Sequence, residues 1–530
     1  MVQTGEDDLV EYGFRRVIIT ITAVLCAMLE IVDTTIVNVA LNDMRGNLGA
    51  TLSEVGWVIT AYAIGNVIIV PMTSWLSQQF GRRNYFAASI IIFTVFSFLC
   101  GNSTSIWELV AFRFLQGIGG GALLVTSQTI ITESYPAKKT AIAQAIYGLG
   151  VIIGPTLGPP LGGYIVDNYT WPNIFFINIP IGIAATLLTL QFVRSPKYSE
   201  KKSINQVDWL GIFLLSITVG SLQYILEKGH EDDWFESSVI IFLTIMAIFG
   251  LFFFIWRQFT YAYPIVELRV LKNGNLRIGT FMSFILGFGL YGSTFIIPLY
   301  TQSILGWTAM QSGMLMIPAA LTTAFMMPII GKLLSKGVRH QLLVAIGLFI
   351  FFIYSFWGYK ILTPQTSADN FFWMLIARGA GLGLLFIPIT TLALSTLKGQ
   401  QIGQGAAFTG MMRQLGGSFG VACITTFISN RSMMYRSDMV SLLNVNDADV
   451  QQRLALLKNG FLSKGLPVDV AQQSAYKVMD GMVTKQSAIM AYMDVFLYLG
   501  FAFLVCIPFI LLVRQRKDKT PLPDIGEAMH

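Results

Sequence analysis

The feature that most constrains this chain is its first apolar run, residues 17–42, VIITITAVLCAMLEIVDTTIVNVALN, which contains two acids. A run of this length can cross the roughly 30 Å hydrocarbon core of a bilayer as a helix. Glu30 and Asp33 are three residues apart, so a helix places them on one face. Each carboxylate costs about 2.5–3.5 kcal/mol at the centre of a membrane helix. A helix that served only as an anchor would not carry both, and we expect it to belong to a functional site.

The composition places the chain among integral membrane proteins. Of its 530 residues, 54% are hydrophobic and 12% are charged, whereas soluble domains average about 25% charged residues. The first run is long and lacks a cleavage site, so we expect it to remain as the first span. The four cysteines lie in apolar runs without a close pair, which argues against disulfides and metal sites. The net charge of +6 follows from loop topology, and no nucleic-acid partner is expected.

Fourteen apolar runs are long enough to span a bilayer, and they group as six, two and six. They lie at about 17–42, 53–77, 85–101, 107–131, 141–166 and 174–193, then 209–226 and 237–256, then 278–303, 312–334, 341–362, 371–394, 403–428 and 491–513. The predicted fold is an all-α integral membrane protein. It has 14 transmembrane helices, arranged as two six-helix bundles related by a pseudo-twofold axis plus two inserted helices.

This grouping divides the chain into regions with predicted locations. Lysine and arginine concentrate in alternate loops, which puts both termini in the cytoplasm. The polar segment 430–488 is predicted outside, because long translocated segments escape the charge rule. Two stretches within it have the pattern of short amphipathic helices, which fits either a solvated cap or a docking surface for a protein. The regions are the N-terminal tail 1–16, the N-terminal bundle 17–193, the inserted pair with linkers 194–276, the C-terminal bundle 277–513 and the C-terminal tail 514–530.

The loop after the second span, SWLSQQFGRR, contains Gly81, Arg82 and Arg83. Its spacing resembles G-x-L-x-D-x-x-G-R-[RK], the gating-loop signature of the major facilitator superfamily. Ser74 replaces the first glycine and Gln78 replaces the aspartate. The substitution at Gln78 leaves open the charge relay that the aspartate implies elsewhere. The two arginines also fit a positive-inside anchor.

The fourth span contains LVAFRFLQGIGGGA, residues 109–122, with Arg113, Gln116 and Gly117. This stretch matches the superfamily pattern L-x-x-x-R-x-x-Q-G-x-G at every fixed position. Arginine keeps its charge under all ordinary conditions. Arg113 could be a snorkelling residue near the outer interface. Alternatively, it is a permanent cation that faces the central cavity and favours the charged form of a facing carboxylate.

The fifth span, with GLGVIIGPTLGPPLGG at 148–163, combines regularly spaced glycines with three prolines. Glycines at this spacing let helix backbones approach closely, and prolines remove backbone donors and bend a helix. Tight packing alone is one explanation, and a bent, pivoting helix is the other. The pattern resembles the antiporter motif that is associated with exporters of the superfamily. The residues are Gly154, Pro155, Gly158, Pro159, Pro160, Gly162 and Gly163.

The resemblance extends over nearly the whole chain, at 171–182, 293–306, 377–388 and 413–422 as well as in the first span. It points to the fourteen-helix drug:proton antiporter branch, and the chain looks most like EmrB-type exporters, partly because of segment 430–488. The resemblance implies a proton-driven exporter of hydrophobic or cationic compounds that works by alternating access in the cell inner membrane, with no cofactor. It also implies a periplasmic membrane-fusion adaptor and an outer-membrane channel as partners.

Within this resemblance, Asp33 is the preferred proton carrier, and Glu30 is a second carrier or the recognition charge for cationic drugs. Arg113 tunes whichever acid faces it. We expect the acids at other span ends to lie in headgroup water, and these are Glu54, Glu108, Glu133 and Asp208. The candidate cavity residues, each of which could instead serve packing, are Tyr62, Asn66, Gln128, Tyr291, Gln302, Arg378 and Arg413.

Two alternatives remain at this point. The nearer one is the same fold exporting a narrow physiological substrate, such as a fatty acid, bile acid, siderophore or metabolite, without partners. The other is a membrane enzyme or sensor, which the sequence disfavours because it shows no catalytic cluster. The sequence also lacks a Walker-type G-x-x-x-x-G-K-[ST] motif, so ATP is not expected to drive transport.

Overall fold

The computed structural model describes residues 9–136, 139–196, 207–444 and 447–512, and these residues form helices and no strand. The predicted tail 514–530 lies outside the described residues, as does half of the predicted tail 1–16. The first bundle and inserted pair are α1 Gly13–Leu48, α2 Leu52–Ile69, α3 Thr73–Phe80, α4 Arg82–Gly101, α5 Ile106–Ser134, α6 Thr140–Asn168, α7 Asn173–Phe176, α8 Asn178–Phe192, α9 Trp209–Lys228 and α10 Ser238–Thr260. The second bundle is α11 Gly274–Ser303, α12 Ala309–Leu315, α13 Ile317–Ser335, α14 His340–Ile361, α15 Ala368–Leu394, α16 Gln400–Leu442, α17 Ala448–Leu462 and α18 Val468–Leu512.

Among the described residues, thirteen helical segments are long and apolar enough to cross a membrane. They correspond to thirteen of the predicted spans. The remaining one, 403–428, lies within α16, whose 43 residues include many glycines and polar side chains and which is not among the thirteen. Because α16 packs along α11, it is an integral part of the second bundle. The count of fourteen stays a prediction.

Three of the spans are interrupted rather than continuous. The second is broken into α2 and α3 by a short 3-10 turn at Val70–Met72, which contains Pro71. The sixth is broken at Ile177 into α7 and α8. The tenth is broken at Met316, directly before the start of α13, where Pro318 occupies the first turn. Proline lacks the backbone N–H and favours the first turn of a helix, which accounts for the first and third breaks.

The helix packing repeats between the two halves of the chain. In the first half, α1 packs against α6, and α5 packs against both α2 and α4. In the second half, α11 packs against α16, and α15 packs against both α13 and α14. This repeat is what a pseudo-twofold pair of bundles requires. The inserted helices α9 and α10 pack against each other, and α9 also contacts both α2 and α16.

Helix α6 lies between α1 and the opposite bundle. Gly150, Gly154, Gly158 and Gly162 face α1, where a Cβ on Gly154 would come within 2.8 Å of Ile31. On another face, α6 packs against α12 and α13, and a Cβ on Gly313 would lie 2.5 Å from Pro160. The helix remains α-helical through all three prolines. Glycine is needed on the α1 face because any side chain there would push the two backbones apart.

The segment 430–488 differs from the predicted pair of short amphipathic helices. Its first predicted helix is α17, but the second is the beginning of α18, which runs for 45 residues into the last span. Nothing in the sequence breaks that helix, since its one proline, Pro508, lies near the end. The extension of α16 packs beside α18, where the Tyr435 hydroxyl donates to Asp494 at 2.7 Å and Arg436 pairs with Asp480 at 2.6 Å.

Candidate functional site

Asp33 lies at the centre of a buried polar network in the first bundle. Arg113 Nη1 donates to Asp33 Oδ2 at 2.5 Å. Gln116 Nε2 and Asn178 Nδ2 both donate to Asp33 Oδ1, at 3.1 and 2.8 Å. Asp33 is 0% exposed and Arg113 is 1% exposed. The carboxylate therefore has a counter-charge and two neutral donors, which is what a buried ion pair needs to offset its desolvation.

A second layer of contacts holds the donors in place. The Ser97 hydroxyl accepts from Gln116 and from Asn178, at 3.2 and 3.0 Å, and donates to the Phe175 carbonyl. Arg113 Nε donates to the Val58 carbonyl at 3.3 Å. The guanidinium also lies 4.0 Å from the centre of the Tyr62 ring, within cation–π range. Arg113 therefore faces the acids of the bundle and is not a snorkelling residue.

Sequence reasoning missed Asn178 and Ser97. Asn178 is the first residue of α8 and brings the sixth span to Asp33, while Ser97 joins the third span to the network through Asn178 and Gln116. The available signal was an amide inside the apolar stretch WPNIFFINIPIG. A polar side chain in a membrane helix calls for a partner, although the sequence does not say which one.

Glu30 is also buried, but it is only half paired. Its Oε1 accepts from Asn66 Nδ2 at 2.7 Å, while its Oε2 has no partner among the described residues. The Tyr62 hydroxyl is likewise unpaired there. A Cβ on Gly120 would lie 2.5 Å from that hydroxyl and 3.3 Å from Glu30 Cγ, so the two groups are neighbours. The predicted cavity residues Tyr62 and Asn66 thus meet at Glu30.

Arg413 of the second bundle lies near Glu30 of the first. Arg413 on α16 is 2% exposed, and its Nη2 lies 3.4 Å from the Tyr147 hydroxyl on α6. Its Nη1 has no hydrogen-bond partner in the ranges the structure describes. Glu30 and Tyr291 both lie within electrostatic reach of Arg413. The structure therefore gathers one acid from the first bundle and one guanidinium from the second around shared tyrosines.

The remaining predicted cavity residues lie elsewhere. Gln128 donates to Gln144 at 3.0 Å within the first bundle, between α5 and α6. Arg378 is buried in the second bundle, where it donates to hydroxyls of α11. Gln302 is exposed at the end of α11, eleven residues and about 16 Å along the helix from Tyr291. Gln302 is thus not part of the cluster around Glu30.

The gating-loop residues form their own cluster at one end of the bundles. Gly81 joins α3 to α4 with φ +79°, a backbone conformation that suits glycine. Arg82 forms a two-pronged ion pair with Glu133, and the Arg83 backbone N–H donates to Ser195 at 3.1 Å. Gln78, at the position of the signature's aspartate, accepts from Gln400 Nε2 of the opposite bundle at 2.5 Å.

Two acids expected in headgroup water are instead buried and paired. The Glu133 side chain is 7% exposed and pairs with Arg82. Asp208 is 1% exposed, pairs with Arg257 at 2.9 Å and caps the start of α9. Each cation comes from a helix that is distant in sequence, so neither pair could be anticipated from local spacing. The other two, Glu54 and Glu108, lie in the first turns of their helices and bond the capping residues.

Comparison with known proteins identifies the family. Residues 23–421 match the family model described as Major Facilitator Superfamily. This chain belongs to the major facilitator superfamily. It is a multi-pass membrane protein with a transporter fold.

Two relatives within the superfamily match almost end to end. The multidrug export protein EmrB of Escherichia coli strain K12 is 33% identical over 503 residues, which cover 95% of this chain and 96% of that protein. The fatty acid resistance protein FarB of Neisseria gonorrhoeae is 32% identical over 498 residues, which cover 94% and 96%. Relatives of this superfamily are transporters and not enzymes.

A solved structure shows the same fold. The proton:xylose symporter XylE, also of the major facilitator superfamily, superposes with a TM-score of 0.56 at 15% identity. The match covers 93% of this chain and 96% of the symporter. At this level of identity the likeness concerns the fold alone.

Proposed function

We propose that this chain is a proton-coupled multidrug exporter of the cell inner membrane, with both termini in the cytoplasm. It would exchange hydrophobic or cationic compounds for protons by alternating access, using the proton gradient and no cofactor. The likeness to EmrB supports drug export. The observation that carries proton coupling is the unequal pairing of two buried acids on one helix face, Glu30 and Asp33.

In the proposed cycle Asp33 carries the proton, and its charge holds Arg113 in place. While Asp33 is charged, it holds the guanidinium together with Gln116 and Asn178. A proton on Asp33 removes that attraction and frees Arg113 to move toward another acceptor. Because these groups come from α1, α5 and α8, protonation changes the contacts among three helices of the first bundle.

Glu30 is the charge for which proton and drug compete in this proposal. Its Oε2 has no partner among described residues, so a cationic drug or a proton can bind there without displacing a protein donor. Binding of one excludes the other, and this exclusion couples their opposed movements. Tyr62, Tyr147 and Tyr291 give the surroundings an aromatic character that suits varied ligands.

The energetics permit useful export. A membrane potential of 100 mV contributes about 2.3 kcal/mol per charge, and one pH unit contributes about 1.4 kcal/mol. One proton could therefore sustain a gradient of roughly a few hundredfold for a neutral substrate.

Reconstituted variants test the two acids separately. On drug addition to proteoliposomes, Asp33→Asn is expected to abolish proton flux, and unchanged flux would remove Asp33 from the coupling site. Glu30→Gln is expected to impair export of cationic drugs more than neutral ones, and equal losses would rule out charge recognition. Glu236→Gln, an exposed acid outside the bundles, is the matched control and should behave as the unmodified protein.

We further propose that the exporter works with a periplasmic membrane-fusion adaptor and an outer-membrane channel. Two observations support this proposal. One is the resemblance to EmrB-type exporters, and the other is the helical segment 430–488, which contains the C-terminal part of α16, all of α17 and the N-terminal part of α18. Co-purification with a one-span adaptor encoded by a neighbouring open reading frame would support this assembly. An exporter that confers full resistance without any adaptor would contradict it.

A second candidate is export of a narrow physiological substrate. The relative FarB is named for fatty acid resistance, and buried Arg413 has a donor available for a carboxylate. A competition panel of drugs, fatty acids and bile acids against one transported dye separates the two candidates. Broad competition supports multidrug export, whereas competition by one class supports the narrow exporter.

A further inference from the structure

Between the two bundles lies a pair of opposite charges, each with one unused hydrogen-bonding position. Among the described residues, one carboxylate oxygen of Glu30 on α1 and one guanidinium nitrogen of Arg413 on α16 have no hydrogen-bond partner. Both side chains are at least 97% buried. Leaving a buried charged group incompletely paired is costly, so each calls for a partner that the protein itself does not supply here.

The two charges do not satisfy each other in this structure. Arg413 lies within electrostatic reach of Glu30, but within the described part of the chain they form no ion pair at 4 Å or less. Glu30 is held by Asn66 on its own side, and Arg413 is held by Tyr147. Each group is anchored on its own side, so a ligand that pairs with both must lie between them.

The surroundings of this pair are aromatic. The Arg413 guanidinium lies 5.4 Å from the centre of the Phe386 ring, and Tyr147 packs on the same ring at 6.2 Å. Tyr62 lies beside Glu30, and Tyr291 packs against Gly417, one turn along α16 from Arg413. Flat rings of this kind accept the faces of aromatic ligands, with the charged groups at either side.

We propose that this site takes zwitterionic aromatic amphiphiles, with the ligand's ammonium on Glu30 and its carboxylate on Arg413. The inference rests on the proposed function, because it assigns a substrate class to the same central site. The ammonium occupies the position that a proton takes in the proposed cycle. The carboxylate satisfies Arg413, which a purely cationic drug would leave unpaired. Because the two contacts come from opposite bundles, only a zwitterion joins both halves through charge.

A matched ligand series tests this assignment. The probes are one aryl-piperazine carboxylic acid, its methyl ester, which keeps only the cation, and its N-acetyl derivative, which keeps only the anion. Affinities are measured by calorimetry on the full-length protein in lipid nanodiscs. The zwitterion is expected to bind about tenfold or more tightly than either derivative, as is typical of a charge-assisted contact.

Variants assign each end of the ligand. Arg413→Met should weaken binding of the zwitterion and the N-acetyl acid but spare the ester, and Arg413→Lys should restore part of the loss. Glu30→Gln should weaken binding of the zwitterion and the ester but spare the N-acetyl acid. Arg378→Gln, which removes another buried arginine of the second bundle, is the control and should change none of the three affinities.

Two results would overturn the inference. One is equal affinity of the unmodified protein for the ester and the zwitterion. This comparison does not depend on any variant folding correctly. The other is an equal loss for all three ligands in Arg413→Met. If the ester alone binds and drives proton flux, the proposed exporter stands while the zwitterion assignment fails. If the zwitterion binds as expected but none of the three ligands moves protons, the site assignment stands and proton coupling fails.

Discussion

At the residue scale, the two acids of α1 differ in how completely they are paired. Asp33 accepts from an arginine and two amides, whereas Glu30 accepts from one amide. Removing one partner of a buried ion pair costs about 3–5 kcal/mol, because the other charge is left uncompensated. Removing both partners costs much less. The Asp33–Arg113 pair can therefore be tested by its effect on stability as well as on transport.

We predict that Arg113→Gln lowers the stability of the protein markedly and that adding Asp33→Asn restores much of it. The reason is that the double variant leaves no unpaired charge in the network. The measurement is the melting temperature in detergent, followed by fluorescence-detected size exclusion.

Arg378 provides the control for this rescue, because its side chain bonds hydroxyls of Ser293 and Thr294. Asp33→Asn should not improve the stability of Arg378→Gln. A double variant at Asp33 and Arg113 that is no more stable than Arg113→Gln alone would contradict the pairing.

At the element scale, α6 packs closely against α1 because the face of α6 toward α1 carries glycines. A Cβ on Gly158 would lie 2.8 Å from Thr35 Cβ and 3.1 Å from the Ile36 backbone nitrogen. Neither neighbour is a flexible side-chain end, so the helices would have to separate. Since α6 also contacts the opposite bundle, a shift here changes the position of the interface between the bundles.

We predict that Gly158→Ala destabilises the protein by about 1–3 kcal/mol, the usual cost of overpacking, and reduces drug efflux. The matched control is Gly46→Ala in the last turn of α1, where a Cβ would meet nothing within 4 Å. That change should leave stability unchanged or raise it by about 0.5–1 kcal/mol, because alanine favours helix. Equal melting temperatures for the two variants would refute the close-packed face.

The helices also show which features of the fold the sequence predicts. Length and apolarity predicted the spans, because a bilayer imposes one minimum length on every crossing helix. They did not predict the continuous α18, since amphipathic and apolar stretches can share one helix. The motifs predicted that Arg113 and Asp33 matter. The sequence could not predict that Asn178 joins them or that Glu133 pairs with Arg82, because those contacts depend on which distant helices meet.

At the scale of the whole molecule, the described residues of the two bundles meet in two places. One is α6 against α12, α13 and α15, and the other is α16 against α3 and α5. At the gating-loop end of the second contact, Gln78 bonds Gln400, and Gly403 packs on Ser74. Alternating access requires contacts at one end of the bundles to open during transport. The Ser74–Gly403 contact lies at the predicted cytoplasmic end.

We predict that the double variant Ser74→Cys, Gly403→Cys forms a disulfide on oxidation and stops transport reversibly. A Cβ on Gly403 would lie 3.8 Å from Ser74 Cβ, which matches the usual Cβ–Cβ distance of about 3.8 Å in disulfides. Drug transport should return after reduction, and either single cysteine should leave it unaffected by oxidant. Full transport by the quantitatively cross-linked protein would show that this contact does not open.

Drug movement under an imposed pH gradient tests whether the acids of α1 exchange drug for protons. Proteoliposomes are prepared with the pH gradient as the only driving force, and uptake of a fluorescent cationic drug is followed. We predict accumulation against the drug's own gradient, opposite in direction to proton flow, abolished by a protonophore and by Asp33→Asn. Accumulation that is unaffected by the pH gradient, or that follows the protons, would contradict proton-coupled exchange.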